Sequence, residues 1–541
     1  MRLRRKNPGG VGVSPAPRLV VDLTGLLAIS AALTLAASSG QGWPANWADG
    51  LPTAPSASPS PVPPPAPVSP PAPLPLPLAL RAGPRIVRPP AVAGQFYPAD
   101  TAELYEFVDR TLSASPPVGI RGARAVLVPH AGYVFSAEVA AASFREIGMP
   151  FKRVFILASN HSGDVHFNGV SIPRESHYAV PGAEIPISAV VDELKSDPLF
   201  VDEPRAHGMH MIEVELPYLH RLRRGDFSIV PLIAGGMDLP AVQRLAEIFD
   251  RYADPETLFV FSVDLSHYYK YEEARNLDHF TIQAIMSRDD AQLRRAVTDG
   301  NQVLLAMLFL AARRGWDPTF LMYRNSGDVG ADKNRVVGYA SIVFHEPLDF
   351  SEQEQRDLLA FARRAAEEYV RTGQTPHDPG LVERHPVFRI PRGAFVTLKK
   401  AGRLRGCIGS LLPRTSLYED VRAHAVDAAV HDVRFSPVTP EELDRLTVSI
   451  SVLEYPQRVY VNDPREYLTV LRPNKDGVIL IYQGRQSTFL PEVWHEIPNA
   501  ADFLSQLCLK QKSPATCWSD TGDARAALYR YSANVLERSL P

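Results

Sequence analysis

Uninterrupted apolar runs alternate along the chain with stretches in which apolar residues recur every three or four positions, from near Ile86 to about Pro347. The runs are Arg124–Val128, Arg153–Ala158, Phe227–Ala234, Leu258–Val263 and Val336–Phe344. Continuous apolar segments of this length predict strands buried on both faces. Between them, Ser136–Ile147, Leu239–Tyr252, Glu272–Ser287 and Gln302–Arg314 carry helical spacing. Strands interleaved with helices predict a doubly wound, mostly parallel α/β domain over residues 86–347.

Near Pro347 the pattern changes. Ser351 and Glu354 are placed as a capping box ahead of Leu358, Phe361, Ala362, Ala365 and Tyr369, an apolar stripe at helical spacing. Phe388–Leu398, Thr447–Leu453 and Val478–Tyr482 read as strands, and a second capping box at Ser416 and Glu419 opens a helix to about His431. These elements do not alternate, so residues 351–541 are expected to form an α+β domain. No internal repeat stands out.

The first 85 residues have another character. Arg2, Arg4, Arg5 and Lys6 precede the apolar stretch Thr24–Ala37, a layout that fits a signal or an uncleaved anchor within residues 1–40. The stretch is shorter than the ~20 residues of a membrane span. A disordered extension is the other reading. Residues 41–85 form a proline-rich linker, with proline at 13 of the 28 positions from Leu51 to Leu78, too poor in packing groups to build a core. An exported or membrane-anchored protein follows if the first segment is a signal, and a cytoplasmic one otherwise.

Composition narrows the partners. At 541 residues the chain exceeds what one hydrophobic core usually serves. Charged residues make up 22% and the net charge is −3, which gives no electrostatic case for binding nucleic acid. The three cysteines, Cys407, Cys508 and Cys517, are too few for a disulfide framework, although the last two can pair in an oxidising compartment.

The chemistry gathers where strands stop. Three apolar runs lead into His130, His161 and His267, and loops leaving the carboxyl ends of parallel strands converge on one crevice. Imidazoles meeting there point to a divalent metal, with Asp328 either an oxygen ligand or, beside Gly327, a turn former. The donor types suit iron first, with zinc, manganese or copper also compatible, and a facial set with open positions suits iron(II) and dioxygen. His210 and Glu213, three residues apart, are either partners of that site or an exposed pair. His267 and His210 are candidate acid/base groups beside Asp264, and Tyr133 is a candidate for orienting substrate. His177, His207, His220 and His345 read as hydrogen-bonded core or surface residues.

In the second domain, Gly406 and Gly409 read as a tight turn around Cys407. Next to Arg405 the thiol could ionise readily and act as a nucleophile, or it could be a buried cysteine of a hairpin. Asp432 and Arg434 either bind an anionic substrate or tie down their loop. His424, Asp427 and His431 share a helical face, read as solvated.

Several of these segments together resemble a known family. Pro129-His130-Ala131-Gly132-Tyr133, Leu157–His161, His210 and Glu213 with Leu216-Pro217, Ser262–His267, and Ser326-Gly327-Asp328 with Val337–Ala340 are similar to the Memo family, AmmeMemoRadiSam system protein B. The resemblance implies a fold like that of the class III extradiol ring-cleaving dioxygenases. It implies metal-binding roles for His130 and His161, with His210, Asp264 and His267 lining the same pocket. Leu404–Gly409, His431–Pro437, Leu446–Leu453, Gly477–Ile481 and Ser487–Trp494 resemble the AMMECR family, system protein A. Fusion of the two implies a radical S-adenosylmethionine enzyme as partner. The expected function is a dioxygenase-like, metal-dependent oxidoreductase with an unidentified substrate; the alternative is a non-catalytic metal-binding or interaction protein.

Overall fold

The computed structural model describes residues 79–161, 163–522 and 525–537. The expected signal or anchor segment, and the proline-rich linker up to residue 78, lie outside them. Among the described residues no helix is long and apolar enough to cross a membrane.

The first domain is built on a nine-stranded sheet. Its strands follow the order His267–Tyr269, Val336–His345, Ala123–Val128, Thr257–Ser262, Arg153–Ser159, Ser228–Ala234, Val170–Ser171 and Phe200–Val201, and Asp317–Asn325 pairs with Val336–His345. The four central strands run parallel. Every residue of Arg153–Ser159, Ser228–Ala234 and Thr257–Ser262 is buried, which is why these segments read as unbroken apolar runs.

The margins of the sheet depart from the parallel expectation. Val336–His345 is antiparallel to Ala123–Val128, Asp317–Asn325 is antiparallel to Val336–His345, and Val170–Ser171 is antiparallel to Ser228–Ala234. The Asp317–Asn325 strand escapes prediction because it carries Pro318 and polar residues. Pairing on one side only is what lets a proline sit in a strand.

The helix Leu239–Tyr252 has the expected bounds, fixed at its start by Asp238, whose side chain accepts the Ala241 N–H. Tyr133–Phe144 starts three residues ahead of its expected position. Asn301–Arg314 ends at Gly315, whose φ of +67° suits glycine.

The second domain contains two four-stranded antiparallel sheets. One orders Arg403–Gly409, Ala394–Lys400, Leu446–Leu453 and Ala533–Glu537; the other orders Gln457–Val459, Ala527–Tyr531, Gly477–Tyr482 and Arg485–Phe489. The capping box of Ser351 and Glu354 is formed at the start of Glu352–Thr372. The second expected box is half formed: Ser416 accepts the Glu419 N–H, while the Glu419 side chain pairs with Arg422. The strand expected from Phe388 begins at Ala394, because Pro386–Arg389 folds as a 3-10 turn.

Gly406 and Gly409 are not a turn. They lie in the strand Arg403–Gly409, and a Cβ on Gly406 would fall 1.9 Å from the Ala428 carbonyl oxygen of the helix packed across it. Cys508 and Cys517 form a disulfide, which leaves Cys407 as the free cysteine among the described residues. The two domains are packed together. Leu358, Phe361 and Phe388 share one apolar cluster with the first-domain core, buried Arg392 lies 3.1 Å from His345 Nε2, and the Tyr460 hydroxyl donates to Asp289.

Candidate metal centre

Ala123–Val128 and Arg153–Ser159 both border Thr257–Ser262, so the segments that leave these three parallel strands emerge side by side. His130 and His161 follow the outer two. Their Nε2 atoms are 2.9 Å apart, and both meet Oδ2 of Asp299, at 3.0 Å and 2.6 Å. Asp299 stands in the turn that opens the helix Asn301–Arg314. Asp264 and His267, from the loop after the middle strand, form a second group around the same Asp299, with ligand-type atoms within 4.8 Å of one another.

Supporting bonds orient these side chains. The Asp264 Oδ1 accepts the backbone N–H of His130 at 2.9 Å. His130 Nδ1 lies 2.9 Å from Ser262 Oγ, and that hydroxyl is also 2.8 Å from the Met211 carbonyl and 3.0 Å from Glu215 Oε1. With Nδ1 engaged, Nε2 is the nitrogen that faces Asp299. His267 Nδ1 lies 3.0 Å from the Leu265 carbonyl. The His210 ring sits 5.6 Å from the rings of both His130 and His161, against Phe96.

Burial and charge oppose one another here. Burial alone would strip the proton from His130, yet the carboxylates of Asp264 and Asp299 carry its pKa up to about 9. Burial would also raise Asp299, but His130 and His161 hold it well below the usual carboxylate range. Asp264 is pushed up by burial. For His210 the pull of Asp299 is outweighed; burial, helped by His130 and His161, lowers it to about 3 and keeps it neutral. Buried Glu215 is raised to about 8. The cluster is thus a place where one positive charge is wanted between two imidazoles and a carboxylate.

The donor set fits a divalent metal. Two ligands at right angles on bonds of ~2.1 Å stand about 3 Å apart, the spacing of the His130, His161 and Asp299 donors. Oδ1 of Asp299 is moreover buried with no hydrogen-bond partner among the described residues, which leaves its lone pairs for a further ligand such as a metal.

Of the sequence candidates, His130, His161, His210, Asp264 and His267 are brought together. Asp328 is not among them. Its Oδ2 accepts the Asn325 N–H and its Oδ1 the Tyr271 hydroxyl, in a capping box that closes its own turn. Tyr133 is buried and its hydroxyl donates to the Val214 carbonyl at 2.7 Å, so it supports the scaffold and does not face a substrate. Glu213 is likewise structural, bound to Arg88, to the N–H groups of Ala91 and Val92, and to the Tyr97 hydroxyl. Asp299, Ser262 and Glu215 were not foreseen. The one signal for Asp299 is an Asp-Gly pair just ahead of an apolar helical stretch.

The second-domain candidates also gather, but around one another. Asp432 accepts the Cys407 N–H at 2.8 Å and pairs with Arg434 at 2.6 Å, and Arg434 donates to the Cys407 carbonyl at 3.1 Å. Arg405 is engaged elsewhere, with Glu442 and the Ser436 and Pro437 carbonyls. The thiol is not activated: burial pushes Cys407 up, with Thr397 donating to its sulfur at 3.3 Å. His424 is only partly solvated, and although burial opposes it, Asp420 and Asp427 raise it to about 9.

Fold and site together define an α/β domain with a histidine–carboxylate cluster at the carboxyl ends of its parallel strands, followed by a two-sheet α+β domain. Comparison with known proteins agrees. Residues 88–343 match the Memo-like protein family and residues 359–536 match AMMECR1. A MEMO1 family protein of Aquifex aeolicus is 30% identical over 275 residues, covering 48% of this chain and 99% of its own. A protein of Methanothermobacter thermautotrophicus is 38% identical over 186 residues, covering 34% of this chain and 94% of its own. A crystal structure of an uncharacterised Pyrococcus horikoshii protein is 32% identical, covering 34% of this chain and 92% of that one, with a TM-score of 0.32. The chain belongs to the MEMO1 family and carries an AMMECR1 domain after its Memo-like domain.

Proposed function

We propose that this protein is a dioxygenase-like, metal-dependent oxidoreductase in which His130, His161 and Asp299 hold one divalent metal, iron(II) before zinc, manganese or copper. The observation that carries this reading is the meeting of both Nε2 atoms with Asp299 Oδ2, within 3.0 Å. Two imidazoles and one carboxylate are the donor set of non-haem iron sites that keep open positions. When bound, the metal would supply a Lewis-acidic centre with exchangeable positions for an oxygenated substrate and dioxygen.

The chain's own groups divide the remaining work. His210, held neutral by burial, is suited to accept a hydrogen bond at its ring nitrogen from a substrate hydroxyl and so orient it. His267 stands across the cluster, its ring 5.9 Å from that of His161, and is the imidazole placed to exchange a proton with substrate. Asp264 fixes the His130 backbone, while Ser262 and Glu215 fix its ring. The extradiol-dioxygenase-like fold, membership of the AmmeMemoRadiSam system and partnership with a radical S-adenosylmethionine enzyme belong to the same reading and rest on the family relationship.

The test is metal content and stoichiometry of the full-length protein after anaerobic iron(II) loading, with His130→Ala and His161→Ala alongside. One iron per chain in the parent, and none in either variant, supports the reading. Retention of metal by both variants sinks it, and so does failure of the parent to bind any divalent metal. Stoichiometric metal without dioxygen uptake across a panel of oxygenated aromatics favours the non-catalytic alternative.

A further inference from the structure

A cleft of about 490 Å³ adjoins Asp299, walled by the ends of Arg153–Ser159 and Ser228–Ala234, by His166–Asn168 and by the first turn of Asn301–Arg314. We propose that this cleft is a substrate-carboxylate site, in which the hydroxyl of Ser159 and the opening N–H groups of the Asn301–Arg314 helix hold the carboxylate of a small organic acid. The inference rests on the metal reading only for where the reactive end of that acid would lie, next to Asp299.

Two independent observations point to a ligand. Ser159 lines the cleft, is 2% exposed, and its Oγ has no hydrogen-bond partner among the described residues. A buried hydroxyl left without a partner is costly, and a ligand oxygen in the cleft would satisfy it. The second is the start of the helix, 14 residues long and opened by Gly300, which provides no side-chain cap. Its first-turn N–H groups therefore have neither intrahelical partners nor a capping oxygen, and the positive end of the helix dipole lies with them.

The two donors are neighbours. A Cβ on Gly300 would lie 3.2 Å from the Ser159 Cβ and 2.9 Å from Val263 Cγ2, so the glycine is what lets the serine approach the helix start. Gly235 works the same way at the opposite wall, where a Cβ would fall 2.4 Å from the Phe167 carbonyl oxygen.

The lining chooses among anions. It contains no lysine or arginine and one carboxylate, Asp299, whose Oδ2 is taken by His130 and His161; its other polar groups are neutral donors such as Ser159, Asn168 and Gln302, together with His166. Neutral donors and a helix terminus suit a single, planar negative charge. A phosphate dianion ordinarily calls for a cationic partner. The volume is that of a metabolite-sized site.

The experiment titrates full-length protein with benzoate, benzamide and phenyl phosphate by calorimetry, with zinc binding measured separately on the same samples. Benzoate is expected to bind about tenfold more tightly than either analogue. Ser159→Ala is expected to weaken benzoate about fivefold while leaving zinc stoichiometry intact, and Ser159→Val, which also fills space, should weaken it further. Equal affinity for benzoate and benzamide overturns the proposal, as does phenyl phosphate binding best, or benzoate affinity unchanged in both variants. If zinc fails to bind but the benzoate pattern holds, the cleft is established and the metal reading falls; zinc binding without that pattern does the reverse.

Discussion

Two clusters of polar side chains stand in this molecule, one in each domain, and they differ in what remains unsatisfied. Around Cys407 the Asp432 and Arg434 charges answer each other: Asp432 is bound to Arg434 and to the Cys407 N–H, and Arg434 reaches back to the Cys407 carbonyl. Around His130 the balance is left open, with Asp299 Oδ1 buried and the Ser159 hydroxyl unused, both without a partner among the described residues, and two imidazole nitrogens facing each other. Histidine, cysteine, aspartate and arginine motifs look equally suggestive on paper. What separates a structural knot from a binding site is whether the residues complete their own hydrogen bonds.

The contrast can be broken most directly in the first domain. His130→Ala or His161→Ala is expected to lower divalent-metal affinity by at least about 100-fold, read by calorimetry, with little change in the melting of the second domain. Arg434→Ala should do the opposite. It leaves Asp432 as an uncompensated charge in a pair whose side chains are 6% and 2% exposed, at a cost of about 3 kcal/mol in a urea titration, with metal affinity unmoved. Should Arg434→Ala abolish metal binding, the two clusters are not independent.

Smaller effects sharpen the picture. Gly406→Ala pushes a methyl onto the Ala428 carbonyl and is expected to cost about 1–3 kcal/mol of stability. Proton and metal compete at His130. Its pKa near 9 in the folded protein exceeds the ordinary 6.5, so its protonation favours the metal-free fold. That contribution is complete below pH 6.5 and is lost as pH rises through 9. Zinc affinity should accordingly climb with pH by up to about tenfold per unit across that window, then flatten; a flat profile from pH 6.5 to 9 would refute the charge balance described for the site. The smallest change is Asp328→Ala. It should remove a cap worth about 1 kcal/mol, seen as a slightly lower melting temperature, with metal stoichiometry unaltered.

Much of the first domain could be read before any coordinates, for a physical reason. Strands buried on both faces must be apolar throughout, so Arg153–Ser159, Ser228–Ala234 and Thr257–Ser262 announce themselves, and so do the histidines that follow them. Asp299 was hidden because its position depends on a contact far away in sequence. It reads as an ordinary polar turn, and only the packing of Gly300 against Ser159 and Val263 carries it to the strand ends. Asp328 misled for the converse reason, since an aspartate beside glycine is as good a turn former as a ligand. Gly406 and Gly409 read as a turn, whereas Gly406 permits the close approach of a helix across its strand and Gly409 that of Ala394 and Phe395 on the neighbouring strand. Asp317–Asn325 was missed because proline at an edge looks like an interruption.

The contacts that join the domains have a practical corollary. Since Leu358, Phe361 and Phe388 sit in the same oil drop as the first-domain core, and Arg392 reaches His345, cutting the gene between the halves would lay bare a sticky greasy face on each fragment. Separately produced halves should clump or melt early, and recover when mixed, so functional assays are best run on the undivided chain.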